Sequence, residues 1–217
     1  MIEDHLKNIK SSLPENVKLV AVSKTKPVEE ILKAYNAGHR DFGENKIQEM
    51  TDKWEQLPKD IHWHMIGHVQ RNKVKYMAPY VHLIHGVDSL KLLKEINKQA
   101  KKNNRTINCL LQVYIAKEET KFGLDPEELT QLLEDNAFKN LDNVRVIGLM
   151  GMATFTENKE QINKEFNFLK TFYDQLKNKY GFKVLSMGMS SDYSVALLNG
   201  STMVRIGSAI FGERNYD

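Results

Sequence analysis

Along the chain, short runs of apolar and β-branched residues alternate with longer stretches in which apolar residues return every three or four positions. The short runs are 18–23, 40–43, 61–67, 82–87, 107–114, 144–151, 183–189 and 202–207. Several are apolar almost throughout, as expected of parallel strands covered on both faces. The longer stretches read as amphipathic helices. Pro27 opens one, with Ile31, Leu32 and Tyr35 on its stripe and Gly38 closing it. Asp88-Ser89 precedes another carrying Leu90, Leu92, Leu93 and Ile96, and Asp125-Pro126 starts a third with Leu129, Leu132 and Leu133. Over 160–180, Ile162, Phe166, Leu169, Phe172, Tyr173 and Leu176 keep the helical step. Residues 3–13 form an extra N-terminal helix ahead of the first strand. Strand then helix, eight times over, predicts an α/β chain closed as a (β/α)8 TIM barrel, with a doubly wound open sheet as the alternative. No linker, low-complexity tract or repeat divides the chain, so one domain over 1–217 is expected.

Composition narrows the function classes. With 217 residues, 41% hydrophobic and 27% charged, the chain can bury a sizeable core. No window is apolar for long enough to span a membrane. Basic residues number 31 and acidic ones 28, a near balance. Lysines such as Lys91, Lys94 and Lys98 are interleaved with acids and read as solvated helix faces. No arginine-rich or aromatic-interleaved stripe points to nucleic acid. The N-terminus lacks a secretory pattern, and the single Cys109 cannot form an internal disulfide, so a cytoplasmic protein is expected.

Barrel chemistry gathers at the C-terminal ends of the strands, with phosphate commonly bound after strands seven and eight. Lys24 follows the first strand and shares a face with Val20 and Val22, so its amine can sit desolvated at the mouth and form a Schiff base. A solvated lysine at a strand end is the plainer reading, and Lys26 has the same parity, so spacing cannot choose between them. Ser190 and Ser191 stand where the next helix is expected to begin. Gly207, which permits close approach of an anion, and Ser208 follow strand eight. Together they describe a phosphate cup, against the plainer reading of helix caps and a turn. Arg205 sits within the last strand between Val204 and Ile206, where it needs a partner: a ring nitrogen beside the phosphate, or a core carboxylate. His62 and His64 share a strand face, yet no further ligand falls at convincing spacing, so no metal is expected. Cys109 reads as a buried small hydrophobe. No Walker A, GxSxG or GxGxxG sequence occurs.

Five blocks carry a resemblance. Residues 21–27 (AVSKTKP), 42–45 (FGEN), 67–73 (GHVQRNK), 186–190 (SMGMS) and 204–212 (VRIGSAIFG) resemble, in order, the pyridoxal phosphate homeostasis protein family. That family has the barrel of the alanine racemase N-terminal domain. The resemblance implies that Lys24, the first lysine of its block, carries pyridoxal 5′-phosphate (PLP) as an internal aldimine. It further implies that Arg205 faces the pyridine nitrogen and that Ser190, Gly207 and Ser208 hold the phosphate, with Ser191 adjacent. Asn45 and His68 match motif positions near the cofactor. Many relatives have threonine at the position of Ser208, which keeps the hydroxyl; where they often have an acidic residue, this chain has Ser191.

An arginine at the pyridine nitrogen leaves the ring a weaker electron sink than an aspartate would, which suits a carrier more than a catalyst. Racemases of this fold add a second domain and a partner-subunit tyrosine as base, whereas this chain stops at Asp217, directly after the barrel. The expectation is a monomeric, non-enzymatic protein that holds PLP and supplies apoenzymes. The alternative is a PLP-dependent racemase or lyase with Tyr114 or Lys26 as base. A third reading, a cofactor-free phosphosugar isomerase, needs paired carboxylates at the mouth, for which Glu44 is the one candidate.

Overall fold

The computed structural model describes residues 1–118 and 122–213. All eight expected strands form: β1 Lys18–Val22, β2 Asp41–Glu44, β3 His62–Met65, β4 Leu83–Val87, β5 Ile107–Gln112, β6 Val144–Met150, β7 Val184–Met189 and β8 Met203–Ile206. They pair in parallel in chain order, and β8 returns to β1 with Leu19 opposite Val204 and Val20 opposite Arg205. The sheet is a closed barrel rather than an open one, and no edge is left unpaired.

Strand parity sorts side chains into two apolar regions. Val20, Leu83, Leu110, Met150 and Met203 pack together inside the barrel. Their neighbours Leu19, Ala21, Ile84, Cys109, Leu111 and Val204 face outward and join the larger cluster between sheet and helices, where Trp63, Phe42 and Phe166 are fully buried.

Helices α1 Ile2–Ser12, α2 Val28–Asn36, α3 Ile47–Gln56, α4 Val74–Met77, α5 Leu90–Lys102, α6 Pro126–Glu134, α7 Asn136–Lys139, α8 Lys159–Tyr180, α9 Tyr193–Leu198 and α10 Ser208–Phe211 complete the described elements. The expected start signals act as written. Ser89 accepts the Leu92 N–H, and Asp125 with Glu128 forms a capping box on α6. Helix α8 ends on Gly181 at φ +69°, a left-handed residue that glycine supplies without strain. Besides short helices such as α4 and α7, α3 escaped the periodicity. Its buried face is Ile47, Met50 and Lys53, so a lysine interrupts the apolar stripe, and its N-cap, Lys46, makes no side-chain cap bond. That lysine proves central to the site.

Candidate functional site

A cavity of about 490 Å³ opens at the C-terminal end of the barrel, a size suited to a small cofactor or substrate. Lys24, Asn45, His68, Ser190, Ser191, Arg205, Gly207 and Ser208 all line it. Val22, Ile66 and Met152 give it an apolar wall, and the exposed rings of Phe122 and Phe155 stand beside them. Among the described residues, its titratable lining groups are Lys24, Lys26, His68 and Arg205, and no carboxylate side chain contributes. Such a lining accepts an anion with an apolar body.

Lys24 lies two residues past the end of β1 and is half-buried, and helix α3 grips the backbone on both sides of it. On one side the Lys53 ammonium donates to Ser23 O at 2.8 Å. On the other, the Thr25 N–H donates to Glu49 Oε1 at 2.6 Å. Thr25 has φ +65°, a left-handed conformation that costs a β-branched residue on the order of 1–3 kcal/mol. Lys53 also donates to Glu49 Oε1 at 2.7 Å and to Glu44 Oε1 at 2.8 Å, and the Ser23 hydroxyl donates to Glu44 Oε1 at 2.6 Å. Glu49 and Lys53 therefore set the direction in which Lys24 leaves the strand. Neither carried a signal in the sequence, because each reaches the site from behind the sheet.

The same geometry removes Glu44 from the mouth. Its carboxyl is fully buried against Ser23 and Lys53 and does not line the cavity. Burial pushes it up to about 7, against the pull of Lys53 and Ser23. The mouth carboxylate that a phosphosugar isomerase would need is not supplied by this residue. Both lysines that parity left open line the cavity. Lys26 Nζ donates to Phe211 O at 2.9 Å and to Glu213 O at 3.1 Å, strapping the segment after β8 to the end of β1.

Arg205, 3% exposed, ends a hydrogen-bonded chain that crosses the barrel interior. Its Nη1 donates to Ser186 Oγ at 2.5 Å and its Nη2 to Gly151 O at 3.2 Å. Ser186 Oγ lies 3.0 Å from His85 Nδ1, His85 Nε2 lies 2.9 Å from His64 Nδ1, and His64 Nε2 lies 3.0 Å from Asp41 Oδ1. One assignment of protons satisfies every link. Arg205 donates to Ser186, Ser186 to His85, His85 to His64, and His64 to the Asp41 carboxylate. Both imidazoles are then neutral, in keeping with burial, which lowers the pKa of each. Burial also lowers Arg205 to about 10, opposed by the charge of Asp192, so it stays a cation at neutral pH. The buried arginine is thus supported by the charge of Asp192 and by a polarised chain ending in a carboxylate on the far side of the barrel.

The hydroxyl groups are placed differently from expectation. Ser190 and Ser191 do not begin a helix: Asp192 is the N-cap residue of α9, and its Oδ1 accepts the Met189 N–H at 2.6 Å. Ser190 Oγ instead accepts the Gly207 N–H at 3.2 Å, joining the turns after β7 and β8. A Cβ on Gly207 would stand 3.1 Å from Val22 O and 3.2 Å from Val22 Cβ, so the glycine also eases the close approach of the turn after β8 to the end of β1. A Cβ on Gly67 would meet Asn45 O at 2.3 Å, so this glycine brings Asn45 and His68 to one wall. His68 stacks on Phe122 with ring centroids 4.3 Å apart, and its Nε2 is 3.5 Å from Asp88 Oδ2.

Other expectations resolve as follows. The Tyr114 hydroxyl donates to Glu118 O at 2.7 Å and does not line the cavity, so it is not placed to act as a base there. Cys109 is fully buried, and burial pushes its thiol well above the ordinary range. The expectation that no further metal-ligand type falls near His62 is corrected. Asp41, His62 and His82 come together at the N-terminal end of the barrel, because parallel pairing aligns the starts of neighbouring strands.

These features define a class: a (β/α)8 barrel whose mouth presents an oriented lysine, an interior arginine and a set of hydroxyls. The chain belongs to the family described as alanine racemase, N-terminal domain, which matches residues 1–215, and within it to the pyridoxal phosphate homeostasis proteins. It is 45% identical over 202 residues to the pyridoxal phosphate homeostasis protein of Aquifex aeolicus, covering 92% of this chain and 88% of that one. The homologue of the same name in Schizosaccharomyces pombe is 39% identical over 203 residues, covering 92% of this chain and 85% of that one. PipY of Synechococcus elongatus, solved with PLP bound, superposes with a TM-score of 0.89 at 35% identity, covering 98% of this chain and 100% of that one. An alanine racemase of Clostridium difficile superposes at TM-score 0.76 with 16% identity, covering 100% of this chain and 57% of that one, a likeness of fold alone.

Proposed function

We propose that the cavity binds PLP through the Lys24 amine and that the protein maintains cellular PLP by holding the cofactor and supplying it to apoenzymes. The observation that carries this reading is the lining itself: an oriented lysine amine, hydroxyls at 190, 191 and 208, and an interior arginine, with no carboxylate side chain among the described lining residues. The donor set fits the group. Lys24 would meet the aldehyde carbon. Ser190, Ser191 and Ser208 would offer donors to the phosphate, with the Gly207 turn beside them. Arg205 would serve the ring nitrogen, and Val22, Ile66 and Met152 would supply apolar contact to the ring. Asn45 and His68 complete the lining. When bound, PLP supplies an electrophilic carbon and an electron-withdrawing ring.

What the chain's own groups do with that chemistry favours a carrier. Arg205 is a cation whose proton is not available to a ring nitrogen, so the ring is kept from its most electron-withdrawing state. A racemase also needs a second base, opposite Lys24, over the reacting carbon. Apart from Lys24, the described lining offers His68, beside Asp88, and Lys26, held on two carbonyls. We read the protein as a non-enzymatic, monomeric, cytoplasmic carrier in a single barrel domain. Among the described residues no helix is long and apolar enough to cross a membrane.

The test is a visible spectrum of the purified protein with and without added PLP, then borohydride reduction and peptide mapping. The expected result is a bound chromophore and a reduced adduct on Lys24, absent in Lys24→Ala. A protein that stays colourless with PLP present overturns the reading. Loss of α-deuterium from amino acids in water, dependent on Lys24, would overturn the carrier in favour of the enzyme.

A further inference from the structure

The end of the barrel opposite the mouth holds a cluster that the function above does not use. Asp41 is the first residue of β2, His62 the first of β3, and His82 immediately precedes β4. One carboxylate oxygen and one ring nitrogen from each histidine lie within 4.8 Å of one another. His62 Nδ1 stands 3.4 Å from Asp41 Oδ1. In a tetrahedral site with metal–ligand bonds of about 2.0–2.1 Å, neighbouring donors sit roughly 3.4 Å apart. One edge therefore already has the spacing that a metal ion imposes. The His62 side chain is 46% exposed, so it has room to rotate and shorten the others.

A carboxylate and two imidazoles suit a borderline cation better than a hard one. Behind them His64 donates to Asp41 Oδ1 at 3.0 Å, the kind of outer contact that orients a ligand. Two lysines oppose binding, Lys10 through its charge interaction with Asp41 and Lys18 by direct contact. Lys18 Nζ is 3.2 Å from Asp41 Oδ1, on a side chain 44% exposed that can swing into solvent.

We propose that Asp41, His62 and His82 form a site for a divalent transition-metal ion of the zinc type on the N-terminal end of the barrel, with Lys18 as the cation it displaces. The proposal does not depend on the cofactor reading.

The test is calorimetric titration of the full-length protein with Zn²⁺ at neutral pH, repeated with His62→Ala, His82→Ala and Lys18→Gln. One Zn²⁺ per chain is expected to bind, at least tenfold more weakly in each histidine variant and more tightly in Lys18→Gln. His62 is exposed, so its variant retains the fold even if the His82 variant does not. Failure to saturate at one ion per chain, or unchanged affinity in His62→Ala, overturns the proposal. Unchanged affinity in a folded His82→Ala overturns the three-ligand site, and weaker binding in Lys18→Gln overturns the role given to Lys18.

Discussion

The two ends of this barrel are built from the same strands, yet they gather different polar groups, the N-terminal end pairing a carboxylate with histidines and Lys18. The C-terminal mouth collects Lys24, Lys26 and Arg205 with hydroxyls and, among the described residues, no carboxylate. The N-terminal end collects the Asp41 carboxylate with three histidines around it. Between them the interior carries a single file of hydrogen bonds whose donors all point from Arg205 toward Asp41. Apolar residues such as Val20, Leu83 and Leu110 fill the space around that file. The contrast shows how an interior cation can be held without a carboxylate in its hydrogen-bonded chain until the far side of the barrel. The charge of the buried Asp192 supports Arg205 as well, while two neutral imidazoles and a hydroxyl spread the rest of the compensation across the interior.

Acid should break this arrangement most severely. His39, His64, His82 and His85 have pKa values lowered chiefly by burial, so below about pH 6.5 the unfolded chain takes up their protons before the folded one does. Stability contributed by their neutral forms is full above pH 6.5 and falls as pH drops toward the folded values, about 4 for His39 and His82. Glu44 acts in the opposite sense. Its folded pKa is raised to about 7, so protonation stabilises the fold as pH falls from 7, and it offsets roughly one histidine. The remaining three give a slope of up to about 4 kcal/mol per pH unit between pH 6.5 and 4.5. Urea midpoints across that range should show it, and His85→Gln should flatten it by about a third. A stability that stays level from pH 7 to 4.5 would mean that these imidazoles are not buried as neutral groups.

A double-mutant cycle sharpens the comparison at constant pH. Arg205→Ala leaves Ser186 Oγ and Gly151 O without their donor and should cost on the order of 3 kcal/mol. Asp41→Ala removes the acceptor that sets the tautomer of His64 and should cost about 2 kcal/mol. Independent sites at opposite ends would give additive losses. The chain predicts a coupling above about 0.5 kcal/mol despite the separation. Additivity would reduce it to a row of unrelated pairs.

How much of this could be read from the sequence depends on where each group's partner lies. The strands were legible because apolar runs such as 107–114 leave little choice, and Lys24, Arg205 and Ser208 were legible because strand ends are where barrels do chemistry. The resemblance separated Lys24 from Lys26 where spacing could not. Groups that work through distant partners were not legible. His85 gave no signal, since Ser186 and His64 meet it only when the barrel closes. Asp41, His62 and His82 come from the starts of β2 and β3 and the residue before β4, and no sequence interval links them. Ser190 and Ser191 were read as a helix start because the turn residues before Asp192 resemble caps. Helix α3 was missed for the reason that makes it useful: it buries a lysine on the face that periodicity expects to be apolar.

That buried face gives the smallest effect and the most local one. Thr25 is left-handed at φ +65°, with its N–H on Glu49 Oε1. If the bond holds Thr25 there, Glu49→Ala should cost about 2 kcal/mol, the loss of a charge-assisted hydrogen bond. It should also speed release of the cofactor proposed on Lys24, because the next peptide is no longer fixed. Glycine adopts φ near +65° without steric cost, so Thr25→Gly added to Glu49→Ala should recover about 1 kcal/mol and slow the release again. In the wild-type background the same glycine should change stability little, since relief of strain is offset by greater freedom of the unfolded chain. Rescue confined to the Glu49→Ala background would assign Glu49 to the backbone beside Lys24. Equal effects in both backgrounds would mean that Glu49 acts through its contact with Lys53, and that the backbone at residue 25 is held by β1 itself.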